Sequence, residues 1–167
     1  MKKINQFKTS TKKNDSSGIE IGRILDPNDP SDAKEIILAG VKESGSVVAN
    51  CIQKMLSEFS SVKTKLMTIL LDKKKPDKVV LDKKVDLDNK VIIVIDDVTN
   101  SGRTLLYALK PILAFQPKRI QTLVLLERSH KDFPVHPDYV GLSVSTTLEE
   151  HIVVEVDKEK VLGAYLK

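Results

Sequence analysis

The chain has 167 residues and a formal net charge of +4, and 41% of its residues are hydrophobic and 30% charged. This balance is typical of a single folded domain and argues against global disorder. The one cysteine excludes an intramolecular disulfide framework and fits a reducing compartment. Since no stretch approaches the ~20 apolar residues of a membrane span, and the basic N-terminus has no apolar run behind it, we expect a cytoplasmic protein without membrane contact.

The first 34 residues are polar and carry much of the positive charge. Five lysines and no acid lie within residues 1–13, so the total of +4 leaves −1 for the rest of the chain. Asn, Ser, Asp and Pro dominate the remainder of this segment, and only residues 18–25 (GIEIGRIL) favour local structure. We predict an arm at residues 1–34 that is at most partly ordered, followed by one domain at residues 35–167.

From residue 35 onward, apolar runs alternate with amphipathic segments. Five runs have the length and composition of buried strands: residues 35–40, 66–71, 91–95, 119–127 and 152–156. Helices are predicted at residues 45–59, from apolar side chains at helical spacing, and at residues 102–115, where Pro111 should kink or shorten the helix. Residues 72–78 (DKKKPDK) predict an exposed loop. This alternation predicts an α/β fold, with a mostly parallel sheet covered by helices on both faces.

The most informative stretch is VIIVIDDVTNSGRT, at residues 91–104. Asp96 and Asp97 end a buried strand, and a hydroxyl-rich turn containing glycine then leads into a helix. Ligands bind at the carboxyl ends of strands in open parallel sheets, and a helix N-terminus favours a phosphate. Adjacent carboxylates repel that phosphate but suit a vicinal diol or a divalent cation. Together these features describe a site for a ribose 5-phosphate. Solvated acids before an ordinary helix cap are the weaker alternative.

The same stretch resembles the phosphoribosyl-pyrophosphate (PRPP) signature of the type I phosphoribosyltransferases. Residues 119–157 resemble the C-terminal half of the pyrimidine operon attenuator/uracil phosphoribosyltransferase group. The resemblance implies that family's fold, with a small C-terminal hood, and transfer of a phosphoribosyl group from PRPP to a free nucleobase with release of pyrophosphate. It also implies Mg²⁺ bound mainly through PRPP, and a homodimer or higher homo-oligomer. No protein metal ligands are expected, because the three histidines lack metal-ligand spacing.

The resemblance also implies roles for individual residues. PRPP contacts are expected from Asp96, Asp97, Val98, Thr99, Asn100, Ser101, Gly102, Arg103 and Thr104. The pyrophosphate loop is expected at Lys42, Glu43, Ser44 and Gly45. Base contacts are expected from Arg128, Val140 and Ile152, under a hood formed by residues 138–147. The expected catalytic residues are Asp96 and Asp97, which would hold the ribose hydroxyls, and Lys42, which would stabilise the departing pyrophosphate. A solvated loop lysine at position 42 and a structural ion pair at Arg128 are the alternatives.

Two features bear on turnover and on the choice of base. Residues 72–78 stand where the family carries a mobile loop, and their lysines could bind pyrophosphate, although a short basic surface loop is an equal alternative. Asn100 stands where purine-using members usually carry an aspartate, which favours a pyrimidine such as uracil and hence pyrimidine salvage. Glu127 departs from the base-reading lysine of the hypoxanthine-type enzymes.

Two rival functions remain open. An RNA-binding regulator that uses the PRPP site as a sensor would need a basic face. Lysines at positions 63, 65, 73–75, 83 and 84 could form one, but the chain beyond residue 13 has no net positive charge, and aromatic residues make up only 4%. The other rival is a degenerate module that holds PRPP or a nucleotide without turnover.

Overall fold

A computed structural model describes residues 2–4, 35–145, 150–158 and 160–166. Most of the predicted arm, including residues 18–25, lies outside the described residues. The helices are α1 (Ser44–Phe59) and α2 (Arg103–Leu109). The strands are β1 (Lys2–Ile4), β2 (Glu35–Val41), β3 (Lys63–Leu70), β4 (Val80–Leu81), β5 (Val91–Thr99), β6 (Arg119–Arg128), β7 (Tyr139–Val144), β8 (Ile152–Val156) and β9 (Val161–Leu166).

The strands form two sheets. The larger sheet has six strands in the order β4-β3-β2-β5-β6-β7, parallel throughout except for β4, which pairs antiparallel with β3. The smaller sheet is antiparallel, in the order β1-β9-β8. The predicted α/β class is confirmed, and β5, which carries the two acids, lies in the interior of the large sheet.

Alternating side chains of the central strands bury both faces of the large sheet. On β5, Ile93 and Ile95 join a cluster with α1 and the small sheet, while Ile92 and Val94 join a second cluster with α2. A strand buried on both faces shows a continuous apolar run instead of polar alternation. This explains why the run at residues 91–95 contains only Val and Ile.

The two helices differ in length for local reasons. On α1, Val48, Ile52 and Leu56 face the sheet at helical spacing and are buried. The predicted shortening of the second helix is confirmed: α2 ends at Leu109, and turns continue the chain past Pro111, which has no N–H to donate. Neither helix of the described residues is long and apolar enough to cross a membrane.

The predicted small C-terminal unit is confirmed as the small antiparallel sheet, but two residue placements in this region are wrong. The hood was expected at residues 138–147, but β7 pairs parallel with β6 at the edge of the large sheet, and residues 146 and 147 lie outside the described part. The physical reason is that β7 has apolar residues for both faces, with Tyr139 packed on one core cluster and Val140 on the other. The run at residues 152–156 was expected in the parallel sheet, but it pairs antiparallel with β9 and forms the small sheet.

The packing predicts the effect of truncating a central side chain. Ile93→Ala should lower the free energy of unfolding by about 2–5 kcal/mol, because the side chain is fully buried and the sheet cannot collapse around the cavity. Leu113→Ala is the control, since Leu113 is 65% exposed and its truncation should change stability by less than about 0.5 kcal/mol. Urea unfolding compares the two, and equal losses would contradict the assignment of the core.

Candidate active site

The two carboxylates lie where β5 extends beyond its neighbour β2. The pairing of β2 with β5 ends at Gly40 opposite Ile95, whereas the pairing of β5 with β6 continues to Thr99. The acids therefore occupy the point at which β2 turns away toward α1. Both remain buried, Asp96 completely and Asp97 with 8% exposure. Carboxylates at this depth require a compensating charge or a proton.

Two glycines let α1 begin directly beside the acids. A Cβ on Gly40 would lie 2.7 Å from Ser46 Cα, and a Cβ on Gly45 would lie 2.7 Å from the Ile95 carbonyl oxygen. The same Cβ on Gly45 would approach Asp96 Oδ1 to 3.2 Å. The start of α1 therefore lies against the end of β5, with no side chain between them.

The residue that precedes α1 has an unusual backbone conformation. Glu43 has φ 72° and ψ −120°, which non-glycine residues rarely adopt, and no side chain of the described residues caps the helix through a hydrogen bond at this position. Such a conformation costs of order 1–3 kcal/mol and is concentrated at functional sites. The peptide groups before Gly45 are thereby held in a tight turn at the rim of the crevice.

The loop between β6 and β7, at residues 129–138, holds the turn at residues 99–104 from behind and is called the backing loop below. The Ser101 carbonyl accepts hydrogen bonds from the backbone N–H groups of Asp132 and Phe133, both at 3.0 Å. Lys131 Nζ donates to the Thr99 carbonyl at 3.5 Å and also to the carbonyl of Arg128. These contacts leave the opposite side of the turn facing the crevice. The backing loop was not predicted from the sequence.

Lys73 supplies the charge that balances the acids. Its Nζ donates to Asp96 Oδ1 at 3.0 Å and to Asp97 Oδ1 at 3.2 Å. The lysine comes from the loop at residues 72–78, which was predicted to be exposed, and its side chain is still 39% exposed. Asp96 Oδ2, by contrast, is buried and has no hydrogen-bond partner among the described residues.

These contacts separate the protonation of the two acids. Burial, with a further contribution from the Asp97 charge, raises the pKa of Asp96 to about 8. Burial also opposes ionisation of Asp97, but its hydrogen bond with Asp96 and the Lys73 ammonium outweigh burial and lower its pKa. Burial likewise opposes the charge on Lys73, and the two carboxylates outweigh it and raise the lysine pKa. Near neutral pH the group is therefore a protonated Asp96, an ionised Asp97 and a charged Lys73, with no net charge.

A crevice of about 540 Å³ opens in front of this group. It is lined by the start of α1, the loop at residues 72–78, the end of β5 with the turn that follows, and β8: Glu43, Ser44, Lys73, Asp97, Val98, Thr99, Asn100, Ser101, Gly102, Arg103, Thr104, Ile152, Val153 and Val154. The elements that line it come from four separate parts of the chain. A pocket of this size accommodates a small molecule.

The crevice contains most of the residues that the sequence singled out. The turn residues, Glu43, Ser44, Asp97 and Ile152 line it, while Asp96 and Gly45 form the layer directly behind. Lys42 is exposed, and neither it nor Arg128 is among the lining residues.

Val140 does not reach the crevice, because its side chain packs on the core cluster of the α2 face. Sequence reasoning missed Lys73 as the partner of the acids, and it missed Val153 and Val154 as lining residues. The only signal for Lys73 was a run of three lysines, and such a run does not show which of the three side chains turns toward the acids.

The donor set fits a cation that arrives with a ligand. The described residues contain no group of three or more His, Cys, Asp or Glu side chains that could hold a metal ion. Asp96 and Asp97 are adjacent acids, and Lys73 balances the charge of the ionised one. Mg²⁺ is usually held by one or two carboxylates together with substrate phosphates and water. Asp97, which lines the crevice, is the carboxylate placed to contact such an ion.

Comparison with known proteins identifies relatives of the whole domain. Residues 11–159 match the phosphoribosyl transferase domain family. The bifunctional protein PyrR of Haemophilus ducreyi is 33% identical over 132 residues, covering 73% of this chain and 74% of the relative. The bifunctional protein PyrR of Streptococcus pneumoniae strain CGSP14 is 31% identical over 140 residues, covering 78% of this chain and 81% of the relative.

Solved structures share the fold at lower identity. The hypoxanthine phosphoribosyltransferase of Trypanosoma cruzi gives a TM-score of 0.65 at 18% identity, covering 80% of this chain and 75% of the other. A hypoxanthine-guanine phosphoribosyltransferase of Bacillus anthracis gives 0.61 at 22% identity, covering 80% and 76%. At these identities the likeness supports the fold alone.

The contact between α1 and β5 predicts that position 45 tolerates no side chain. Gly45→Ala should lower the free energy of unfolding by about 1–3 kcal/mol, although alanine favours helix, because the new Cβ meets the rigid Ile95 carbonyl. Gly163→Ala is the control, since its nearest neighbour would be Tyr165 Oη at an ordinary 3.4 Å. Urea unfolding of both variants measures the difference, and a Gly45→Ala protein as stable as the control would refute the close approach.

The raised pKa of Asp96 predicts a pH dependence of stability. Asp96 keeps its proton up to a pKa of about 8 in the folded protein, whereas in the unfolded chain it has the usual pKa of 3.8. The bound proton therefore stabilises the folded protein fully below pH 3.8, and this stabilisation is lost as the pH rises to about 8. Stability should fall across that window by on the order of 1 kcal/mol per pH unit relative to Asp96→Asn, which has no such proton. Urea unfolding of both proteins between about pH 4.5 and about pH 8.5 provides the comparison. Parallel profiles for the two proteins would contradict the assignment.

Proposed function

The chain belongs to the phosphoribosyltransferase family and is a PRPP-dependent pentosyltransferase, and we propose that it transfers the phosphoribosyl group to uracil. The observation that carries the assignment of the site is one crevice shared by Asp97, the turn at residues 99–104, the start of α1 and β8. Such a crevice can hold a sugar with an anion on each side and a base against an apolar wall.

In this proposal the ribose lies over the acids. Asp97, ionised and at the surface of the crevice, accepts hydrogen bonds from the ribose hydroxyls, and Asp96 supports it from behind. The 5-phosphate occupies the turn at residues 99–104, where the positive φ of Gly102 (84°) brings backbone N–H groups toward the ligand. The backing loop fixes this turn, so the phosphate meets donors that are already oriented.

The pyrophosphate lies at the start of α1. Ser44 and Glu43 line this part of the crevice, and their backbone is held by the strained turn described above. Lys42 adds a cation at the rim. Mg²⁺, bound through the pyrophosphate, would neutralise charge on the leaving group. Catalysis then rests on positioning and on stabilising the negative charge that develops on the departing pyrophosphate.

The base lies against β8. Ile152, Val153 and Val154 give that wall an apolar surface that suits a flat ring. Asn100 lines the crevice, and its Oδ1 is buried and has no hydrogen-bond partner among the described residues. A buried acceptor of this kind suits a base with a ring N–H, which uracil and hypoxanthine both have. The preference for uracil rests on the uncharged side chain of Asn100, where purine-using members of the family usually carry an aspartate. Val140 is not part of the proposed base site, because it belongs to the core, whereas Arg128 is retained at its edge.

RNA binding receives little support from the surface charges. Lys65 and Lys90 both pair with Glu35, and Lys75 pairs with Asp77. Lys73 is taken up by the two acids. Three of the seven lysines that could have formed a basic face, Lys65, Lys73 and Lys75, therefore have carboxylate partners, and binding of PRPP and a base remains the better-supported function.

A product assay tests the proposal. With PRPP and Mg²⁺, a panel of free bases should yield uridine monophosphate from uracil in preference to the products of hypoxanthine and guanine. Asn100→Asp is the matched variant, because it keeps the shape of the side chain and places a negative charge where the purine-using relatives carry one. It should lower the ratio of uracil to hypoxanthine turnover by about tenfold or more. Turnover of hypoxanthine alone would overturn the choice of base, and no product from any base would overturn transfer.

A further inference from the structure

The partner of the two acids occupies the place that the sugar needs. Lys73 Nζ contacts Oδ1 of Asp96 and Oδ1 of Asp97, which are the oxygens turned toward the loop. The other oxygen of Asp96 is buried from solvent. A ribose whose two hydroxyls take both oxygens of Asp97 therefore competes with the lysine for Asp97 Oδ1.

The loop that carries Lys73 is built to hold the lysine at a defined point. The Asp72 carboxylate accepts hydrogen bonds from the backbone N–H groups of Lys74 at 2.8 Å and Lys75 at 3.4 Å, and Pro76 is buried. The turn is thus anchored on both sides of the lysine. The Lys73 side chain nevertheless keeps 39% exposure, while those of Asp96 and Asp97 keep 1% and 11%. Its ammonium can swing away without unfolding the loop or uncovering the sheet.

The released ammonium needs a new negatively charged partner within the crevice. Lys73 lines the same crevice as Glu43 and Ser44 at the start of α1. When the sugar occupies Asp97, an anion bound at the start of α1 supplies an opposite charge within that crevice, beside the Glu43 carboxylate. The lysine thus exchanges one negative partner for another inside a partly desolvated space, where charges are screened less than in water.

Resting on the proposed function, we propose that Lys73 is an exchangeable counter-ion: in the empty crevice it neutralises Asp97 and hydrogen-bonds Asp96, and the ribose of PRPP displaces it onto the pyrophosphate. The lysine then acts as a positioning residue in the empty protein and as a leaving-group contact in the loaded one. The short loop is sufficient for this role, because the ammonium moves within one crevice while the loop keeps its anchors.

Binding of Mn²⁺ without any substrate tests the first half of the proposal. Lys73→Met removes the charge and retains the length of the chain, so the two acids should gain a free cation as their partner. Electron paramagnetic resonance should show Mn²⁺ binding tightened by about tenfold or more, since a unit charge at salt-bridge distance is removed and carboxylates suit this ion. Lys74→Met is the matched control from the same loop, and it should bind Mn²⁺ as weakly as the wild type does. Lys73→Arg should also remain weak, because it restores the charge.

Pulsed acetylation of the unmodified protein tests the second half and does not depend on how well a variant folds. In the empty protein, Lys73 should react several-fold more slowly than Lys74, because two carboxylates hold its ammonium. Saturating ribose 5-phosphate, which has no pyrophosphate, should bring the Lys73 rate close to that of Lys74. PRPP with Mg²⁺ should slow Lys73 again while leaving Lys74 unchanged.

The outcomes separate this inference from the proposed function. Calorimetry first establishes whether ribose 5-phosphate and PRPP bind. If neither binds, the proposed function fails, and the exchange fails with it. If both bind but Lys73 reactivity does not change, or Lys73→Met gains no affinity for Mn²⁺, the exchange is overturned while the proposed function stands.

Discussion

Two carboxylates on successive residues at the end of a buried strand create the electrostatic constraint on which the rest of the site depends. They would repel each other if both were charged, and burial penalises each charge separately. The molecule resolves this with one proton and one cation, since Asp96 has a raised pKa and Lys73 contacts both acids. Three features hold Asp96, Asp97 and Lys73 together: the loop at residues 72–78, the contact of Gly45 with the end of β5, and the extension of β5 beyond β2.

The neutral group also explains how the site can remain stable when empty and still bind a polyanion. The described residues offer no third His, Cys, Asp or Glu side chain to complete a resident metal site around the two acids. A lysine from a surface loop costs less to displace, because its side chain remains partly in water throughout. The turns proposed to bind the two anions are formed by the backbone and need no such rearrangement. In this account the backbone turns bind the ligand as a rigid scaffold, and only the Lys73 side chain moves to exchange its charged partner.

The sequence predicted the features that depend on local periodicity. The all-apolar run of β5, the helical spacing of α1 and the missing donor of Pro111 are properties of short segments, and each led to the correct element. The features that could not be predicted depend on contacts between distant residues. The small sheet joins β1 to β9 across almost the whole chain, and β7 could be assigned to a sheet edge only by its register with β6. The sequence alone could not distinguish Lys73 from the two lysines that follow it, because the choice depends on the course of the loop at residues 72–78 in the folded protein.

The central claim is that the ribose of PRPP rests on the carboxylate at the surface of the crevice, and calorimetry of PRPP binding in the presence of Mg²⁺ tests it most directly. Asp97→Asn preserves the size of the side chain and removes its charge, so it should weaken binding by about 1.5–3 kcal/mol, the contribution of hydrogen bonds to a charged acceptor. Asp77→Asn, on the exposed loop, should leave the affinity unchanged. Equal affinities of the wild-type, Asp97→Asn and Asp77→Asn proteins would contradict the account.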